Sequence, residues 1–342
     1  MNIPKRVTIG DIAKESGFSQ STVSLVLNNN PRISDDTRQK VLQAIEKHGY
    51  KPNIHARGLA MRSSRVISVV LPDIPNVFGD PYFGALLSGV YTGVAEAGLK
   101  MLVDLANMNF IRTQEYFNIL DTRQADGMIF LGTTNYDQYL SGFKDKGYSM
   151  LLVNNHFPKW GLSHVSMDYR HAAKLAAEHL LGLGHRKIGI ITGTNVQAAV
   201  DFLDTVEETF RSAGISAEDS PWADGRFNEQ VGFEAARVVM TLNPEITAIL
   251  CGNDLMALGA LRYVYTQGLT VPKDVSIVGV EDLPLAQLTT PKLTTVRHDL
   301  HDLGRLAVRQ ILAMNREETD SVGEWRQGML VERESTAGPR GV

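Results

Sequence analysis

The chain has 342 residues, 43% of them apolar and 21% charged, with a formal net charge of −4; this is the composition of a globular protein large enough for two or three units with their own cores. No uninterrupted apolar run approaches the roughly 18 residues that cross a bilayer, and the N-terminal stretch MNIPKRVTIG has no apolar signal core, so the expected setting is the cytoplasm and no membrane partner is expected. A single cysteine, Cys251 in AILCG, excludes internal disulfides and a cysteine-based zinc cluster and reads as a buried strand end.

Charge is unevenly spread. Residues 1–65 carry eleven Lys+Arg and five Asp+Glu, a balance of +6, whereas the remainder carries 23 and 33, or −10. The head is thus the part suited to a polyanion. Within it, VTIGDIAKESGFSQSTVSLVLN (residues 7–28) reads as two short helices and a tight turn. Thr8 caps the first, with Asp11 at the third helical position completing a capping-box pair. Ile9, Ile12 and Ala13 form its apolar stripe, and Gly17 permits the turn. Ser19 caps the second, whose Val23, Val26 and Leu27 face inward. Gln20, Ser21, Thr22, Ser24 and Leu25 are left on the other faces, short and uncharged at a helix N-terminus, where a helix-turn-helix meets base edges and phosphate. A helical hairpin with a solvated polar face has the same outline. Ser34 opens a third helix running to about Lys47, with Val41, Leu42 and Ile45 inward and Gly49 as its stop.

After Pro52 and Asn53 comes NIHARGLAMRSS, which has too few apolar residues to fold against its own headpiece and is weakened as a helix by Gly58. Its composition suits a plain linker or a segment that folds when something orders it.

From Val66 the pattern changes. VISVVL, KMLVDL, DGMIFL, SMLLVN, KIGIIT, TAILCG and DVSIVGV are short, nearly continuous apolar runs, separated by amphipathic stretches such as YRHAAKLAAEHLLGLG. That alternation predicts an α/β body with parallel sheets, two of them given about ten strands in so long a segment. The glycines of GLGHRKIG follow a helix and precede a strand, the reverse of a dinucleotide fingerprint, so no nucleotide site is expected there. The nine histidines include no H-E-x-x-H, and no G-x-S-x-G occurs; neither an enzyme nor a metal site nor a cofactor is predicted. His185 reads as structural, and His298 and His301, three apart on an expected helix, are the nearest thing to a metal pair.

The string from Val7 to Asn28 closely resembles the headpiece of the lactose-repressor (LacI/GalR) family of bacterial transcriptional regulators, with its V-T-I-x-D-[IV]-A, G-[VF]-S and S-T-V-S-x-[VA]-L-N elements. LGHRKIGIITG, AILCGNDLMALGALRYVYTQGLTVPKDVSIVGVED and TTPKLTTV extend the likeness over essentially the whole chain. The resemblance implies a helix-turn-helix headpiece at residues 1–51, a hinge at 52–65 and a two-lobed, periplasmic-binding-protein-like sensor at 66–342. It places one lobe at about 66–167 plus 297–325 and the other at about 168–296 plus 326–342. It also implies a homodimer on a double-stranded, pseudo-palindromic DNA operator, since no leucine heptads follow Arg333 to make tetramers. In the hinge, Asn53, Ala56, Arg57 and Leu59 match the pattern whose leucine wedges the central base step from the minor groove. Leu25 departs from the long polar residue often found at its position and permits only apolar contact. Asn28 closes the headpiece match.

For the sensor, the resemblance implies an effector between the lobes, with Tyr82, Phe83 and Phe227 at stacking positions, equally readable as packing, and Asn253 as a hydrogen-bonding amide. Gln197 belongs to the same expected set. Three positions depart from the family pattern: Asn154 stands for an aspartate, Leu203 for an arginine, and Glu281 for the aspartate of G-Y-D. Without the arginine and carboxylate clamp the usual grip on a sugar is missing. A one-residue shift would bring Asp204 into the cleft beside Glu281 and favour a less sugar-like or cationic effector, or none. The function expected is a sequence-specific repressor controlled by an unidentified small molecule. Its rivals are a regulator controlled by a protein partner, and a cytoplasmic solute binder with a vestigial headpiece.

Overall fold

The computed structural model describes residues 7–27, 30–50, 63–144, 146–319 and 323–340, and divides the chain into one unit up to Ser64 and another from Arg65. In the first, helix α1 (Ile9–Ser16) begins where Thr8 accepts the Asp11 N–H and the Asp11 carboxylate accepts the Thr8 N–H, a closed capping box. Gly17 ends it in the left-handed region at φ 75°, a conformation costly to any residue with a Cβ. Helix α2 (Gln20–Leu27) starts at Ser19, whose Oγ accepts from Thr22 N–H at 3.1 Å. Helix α3 (Asp35–His48) is capped by Ser34 and stopped by Gly49. Ile12, Ala13, Val23, Val26, Val41 and Ala44 form the core, with Phe18, Ile45 and Tyr50 packed around it.

Leu42 corrects the expected stripe: it is 48% exposed, and Ala44 takes the inward place. The core lies on the line of Val41, Ala44 and Ile45, and Leu42 is rotated about 100° off Val41, beyond what so small a bundle covers.

The second unit is built on two six-stranded sheets. In the first, the order is β11 (Gly323–Arg326), β5 (His164–Met167), β4 (Met150–Val153), β3 (Gly127–Leu131), β1 (Val66–Leu71), β2 (Lys100–Leu105), every pair parallel. In the second it is β12 (Met329–Val331), β10 (Thr294–Arg297), β9 (Ser276–Glu281), β8 (Ala248–Cys251), β6 (Ile188–Thr192), β7 (Trp222–Asp224). Every residue of β3, β6, β8 and β9 is buried, which is why these strands are continuous apolar runs. The strands absent from the sequence reading, β5, β7, β10, β11 and β12, are three or four residues long, and all but β12 are partly polar.

The sheets are parallel as expected except at β12, which runs antiparallel to β10. Topology forces this. The chain leaves the first sheet at the carboxyl end of β11 and enters the second at its carboxyl edge two residues later, so it must run back down. The chain passes between the sheets in three places, after Met167, after Arg297 and after Arg326. Two of these passages are tied together by the Asp168 N–H, which donates to the Arg326 carbonyl at 2.7 Å.

Helix α4 (Pro81–Glu96), capped by Asp80, packs against a helix from far along the chain, α11 (Leu300–Asn315). The contact depends on reciprocal glycines: a Cβ on Gly89 would overlap the His301 carbonyl oxygen, and one on Gly304 the Leu86 carbonyl oxygen. Six further helices, α5 (Met108–Arg112), α6 (Glu115–Asp121), α7 (Tyr169–Gly182), α8 (Gln197–Ser212), α9 (Glu229–Leu242) and α10 (Asp254–Thr266), stand between the strands along the chain.

Candidate functional site

On α2, Gln20, Ser21 and Leu25 are exposed and Thr22 and Ser24 half-exposed, while Val23 and Val26 hold the helix to the core. Ser19 and Thr22 are engaged in the cap, their hydroxyls 3.0 Å apart, and the Thr8 hydroxyl donates to Asp11 at 2.7 Å. The polar, uncharged surface predicted for this helix is therefore presented as a unit. Asn28, Asn53, Ala56, Arg57 and Leu59 lie outside the described residues.

In the second unit a cavity of about 440 Å³ opens at the carboxyl ends of the strands, between the sheets, the place where ligands sit in α/β folds. Tyr82, Phe83, Asn154, Phe227, Asn253 and Glu281 all line it. Tyr82 and Phe83 open α4, where Asp80 fixes the backbone by accepting both their N–H groups, and their rings meet edge to face at 5.2 Å. The Asn154 amide donates to the Tyr82 hydroxyl at 2.7 Å, and burial raises the phenol's pKa. Phe227, at φ 54°, seats its ring where a side chain on Gly193 would stand. Asn253 caps α10 by accepting from Met256 N–H.

Glu281 ends β9 at φ 112° with 4% of its surface exposed. Its Oε2 is buried with no hydrogen-bond partner. Burial holds its pKa well above the usual carboxylate range, and the neighbouring Asp254 and Asp80 push it the same way. Asp254 lies beneath, fully buried, accepting from Thr295 Oγ1 at 2.6 Å and Leu283 N–H at 2.7 Å; burial pushes its pKa up to about 7.

Three expected positions are not in the cavity lining. Gln197 starts α8 and its side chain turns to Asp201. Leu203 packs against the core of the fold, and Asp204 is on an exposed face. The helix phase decides this: Ala198, Ala199 and Phe202 face the cavity, Asp201 turns to Arg170, and Asp204 is rotated away, so it does not acidify the cleft. Counting residues from a glycine could not supply that phase, although the spacing of Ala198, Phe202 and Val206 could. The sequence reading missed Asp80, Phe202, Tyr169, Asn195, Arg226 and Asn228, which also line the cavity; Asp80 was legible as a cap before Pro81.

His185 is structural, bridging Thr247 Oγ1 and the Ala337 carbonyl, each at 2.8 Å. His298 and His301 do not form a pair on one helix. His298 precedes α11 and is buried, whereas His301 is in its first turn, 3.2 Å from Thr92 Oγ1. Among the described residues no three His, Cys, Asp or Glu side chains are grouped to hold a metal, and no helix is long and apolar enough to cross a membrane.

Residues 8–53 match the family model described as bacterial regulatory proteins, lacI family, and residues 177–336 match a periplasmic binding protein-like domain. Catabolite control protein A of Priestia megaterium is 31% identical over 319 residues, which are 92% of this chain and 95% of that protein. The chain belongs to the lacI family of bacterial regulatory proteins. Another lacI-family relative, the HTH-type transcriptional repressor CytR of Escherichia coli K12, is 32% identical over 89% of each chain. The lac repressor dimer bound to operator and the anti-inducer ONPF superposes with a TM-score of 0.85 at 24% identity, covering 97% of this chain and all of the other. The regulator CelR in complex with cellobiose superposes at 0.73 with 26% identity, covering 96% and 100%. This lacI-family member is a DNA-binding transcriptional regulator with a helix-turn-helix headpiece and a two-sheet sensor. Its family is made up of transcription regulators, not enzymes.

Proposed function

We propose that this regulator is a repressor that binds a pseudo-palindromic operator as a homodimer and is controlled by a small molecule in the cleft between its two lobes. The observation that carries this reading is the presence, in one chain, of a fully capped helix-turn-helix and a cavity of about 440 Å³ lined by aromatic rings, amides and carboxyls. Gln20, Ser21, Ser24 and Leu25 meet base edges, and Thr8, Ser19 and Thr22 hold the helix ends against phosphate. Asn28 completes that face. Asn53, Ala56 and Arg57 belong to a paired hinge, and Leu59 wedges the minor groove, so that lobe closure acts on DNA by changing hinge spacing. In the cleft Tyr82, Phe83 and Phe227 supply stacking surfaces, and Asn154, Asn253 and Glu281 supply polar contacts. Relatives named as a repressor and as a repressor dimer on its operator support the repressor and dimer parts of the reading.

Selection from a random duplex pool with the full-length protein tests it. A two-fold symmetric consensus whose binding is lost in Leu59→Ala is the expected result. Salt-sensitive binding without sequence preference, or unchanged binding by that variant, would overturn the reading.

A further inference from the structure

The cavity has a charge pattern that specifies its occupant further, given that the cleft is an effector site as proposed above. Its floor carries Glu281 from the end of β9 and Asp80 from the start of α4, with Asp254 buried directly beneath at the start of α10. The other ionisable groups facing Glu281 are the phenols of Tyr82 and Tyr169, from α4 and α7. Among the described residues no Lys or Arg forms an ion pair with Glu281, Asp80 or Asp254, although Arg333 acts electrostatically on Asp254. Arg333 and Arg297 are both taken by Asp282, and Arg226, the cation among the described lining residues, has a side chain 78% exposed and lies near Asp224. A buried carboxyl oxygen without a donor is costly, and native structures rarely retain one without a use. Glu281 Oε2 is such an atom.

The walls around this acid floor are aromatic: Tyr82, Phe83, Phe202 and Phe227. Two of the rings are seated by glycines, since a Cβ on Gly132 would strike Phe83 and one on Gly193 would strike Phe227. Ring faces carry negative quadrupole potential, so they add to the attraction that the carboxyls exert on a positive group. We infer that the effector is a small organic cation, a protonated amine on a compact, ring-sized body, whose ammonium is held by Glu281 and whose body lies among Tyr82, Phe83, Phe202 and Phe227. Burial and its acidic neighbours raise the Glu281 pKa and so favour its neutral form in the empty site. An ammonium reverses that balance, so binding expels the carboxyl proton and tightens as pH rises. A neutral polyol has no such coupling.

The test uses full-length protein and matched pairs differing only at the charged group: phenethylamine against 2-phenylethanol, tyramine against its alcohol, with ribose and glucose as neutral polyols. Isothermal titration in two buffers of different ionisation enthalpy counts the protons released. Each amine is expected to bind at least about tenfold more tightly than its alcohol, with proton release and an affinity that rises with pH. Glu281→Gln, of the same shape, is expected to erase the amine preference and the proton release. The assignment is overturned if alcohols or sugars bind as tightly as amines, if no amine binds, or if Glu281→Gln keeps the preference. The broader reading is judged separately: a neutral polyol that binds and changes operator affinity would preserve the cleft as an effector site while removing the cation from it.

Discussion

The side chain of Asn154 joins Tyr82 to Met167: its amide nitrogen donates to the Tyr82 hydroxyl at 2.7 Å, and its oxygen accepts the Met167 N–H at 2.8 Å. One end of this bridge is a wall of the cavity, and the other is the last residue of β5, from which the chain passes to the second sheet. Asn154 itself sits at φ 57°, a conformation that asparagine tolerates better than most residues.

Asn154→Ala leaves the buried Met167 N–H without this acceptor, removes one of the partners of the Tyr82 hydroxyl and places a residue less suited to positive φ, so a loss of about 1–3 kcal/mol is expected. Asn154→Asp keeps the acceptor for Met167 and can accept from Tyr82, and should lose much less. Urea unfolding of the two variants measures the difference; equal stabilities would show that the bridge contributes nothing.

Asp254 predicts a pH dependence whose sign differs from that of an ion-paired carboxylate. Its folded pKa is raised to about 7 from an unfolded value of about 3.9, so between those limits the folded state binds the extra proton. Stability contributed by the neutral acid is present below about pH 4 and falls as pH rises toward 7. Glu281, also raised, adds to the same slope. Asp254→Asn retains an oxygen for Leu283 N–H and a nitrogen for Thr295, and is expected to flatten the melting temperature between about pH 5 and 7. A slope unchanged from the native protein would assign the pH dependence elsewhere.

Gly89 and Gly304 allow α4 and α11 to touch backbone to backbone. Gly89→Val forces these helices apart against a packed core and is expected to cost at least about 1–3 kcal/mol. Because the contact joins segments more than 200 residues apart, the loss should appear as a single lowered denaturation midpoint of the sensor. A variant as stable as the native protein would mean the helices can separate freely.

Leu25, 39% exposed on α2, tests the reading surface without disturbing the core. Leu25→Gln should leave thermal stability within about 0.5 kcal/mol and change base preference at one symmetric pair of operator positions by about 1–3 kcal/mol. An unaltered consensus would place Leu25 off the bases. Thr8→Ala is the matching structural control: loss of the cap should cost the headpiece about 1 kcal/mol and weaken binding to all sequences alike.

How much of this was legible beforehand follows from local chemistry. Thr8, Gly17, Ser34 and Gly49 act through their own backbone, so capping and helix stops could be placed to within a residue. The long apolar strands could be read because they are covered on both faces, whereas β7 and β11 have no hydrophobic run of their own and β12 is only three residues long. In the cleft, Tyr82, Asn154, Asn253 and Glu281 stand at strand or helix ends, where position follows from element boundaries. Leu203 and Asp204 stand mid-helix, where one residue of slippage rotates a side chain by about 100°, and there the reading missed Phe202. An acidic cleft at Glu281 was expected with the wrong partner, Asp204; its actual neighbours Asp80 and Asp254 stand on other elements and are brought to Glu281 only by the fold.

The three passages between the sheets also set a timetable for synthesis. The first sheet lacks an edge strand until β11 at residues 323–326 is made, and the second until β12 at 329–331, while the headpiece core is complete by Tyr50. Roughly 280 residues separate the two events, tens of seconds at ordinary elongation rates. A nascent chain therefore carries a finished headpiece well before either sheet of its second unit has all its strands, and a chain cut short in that interval keeps the headpiece beside two incomplete sheets.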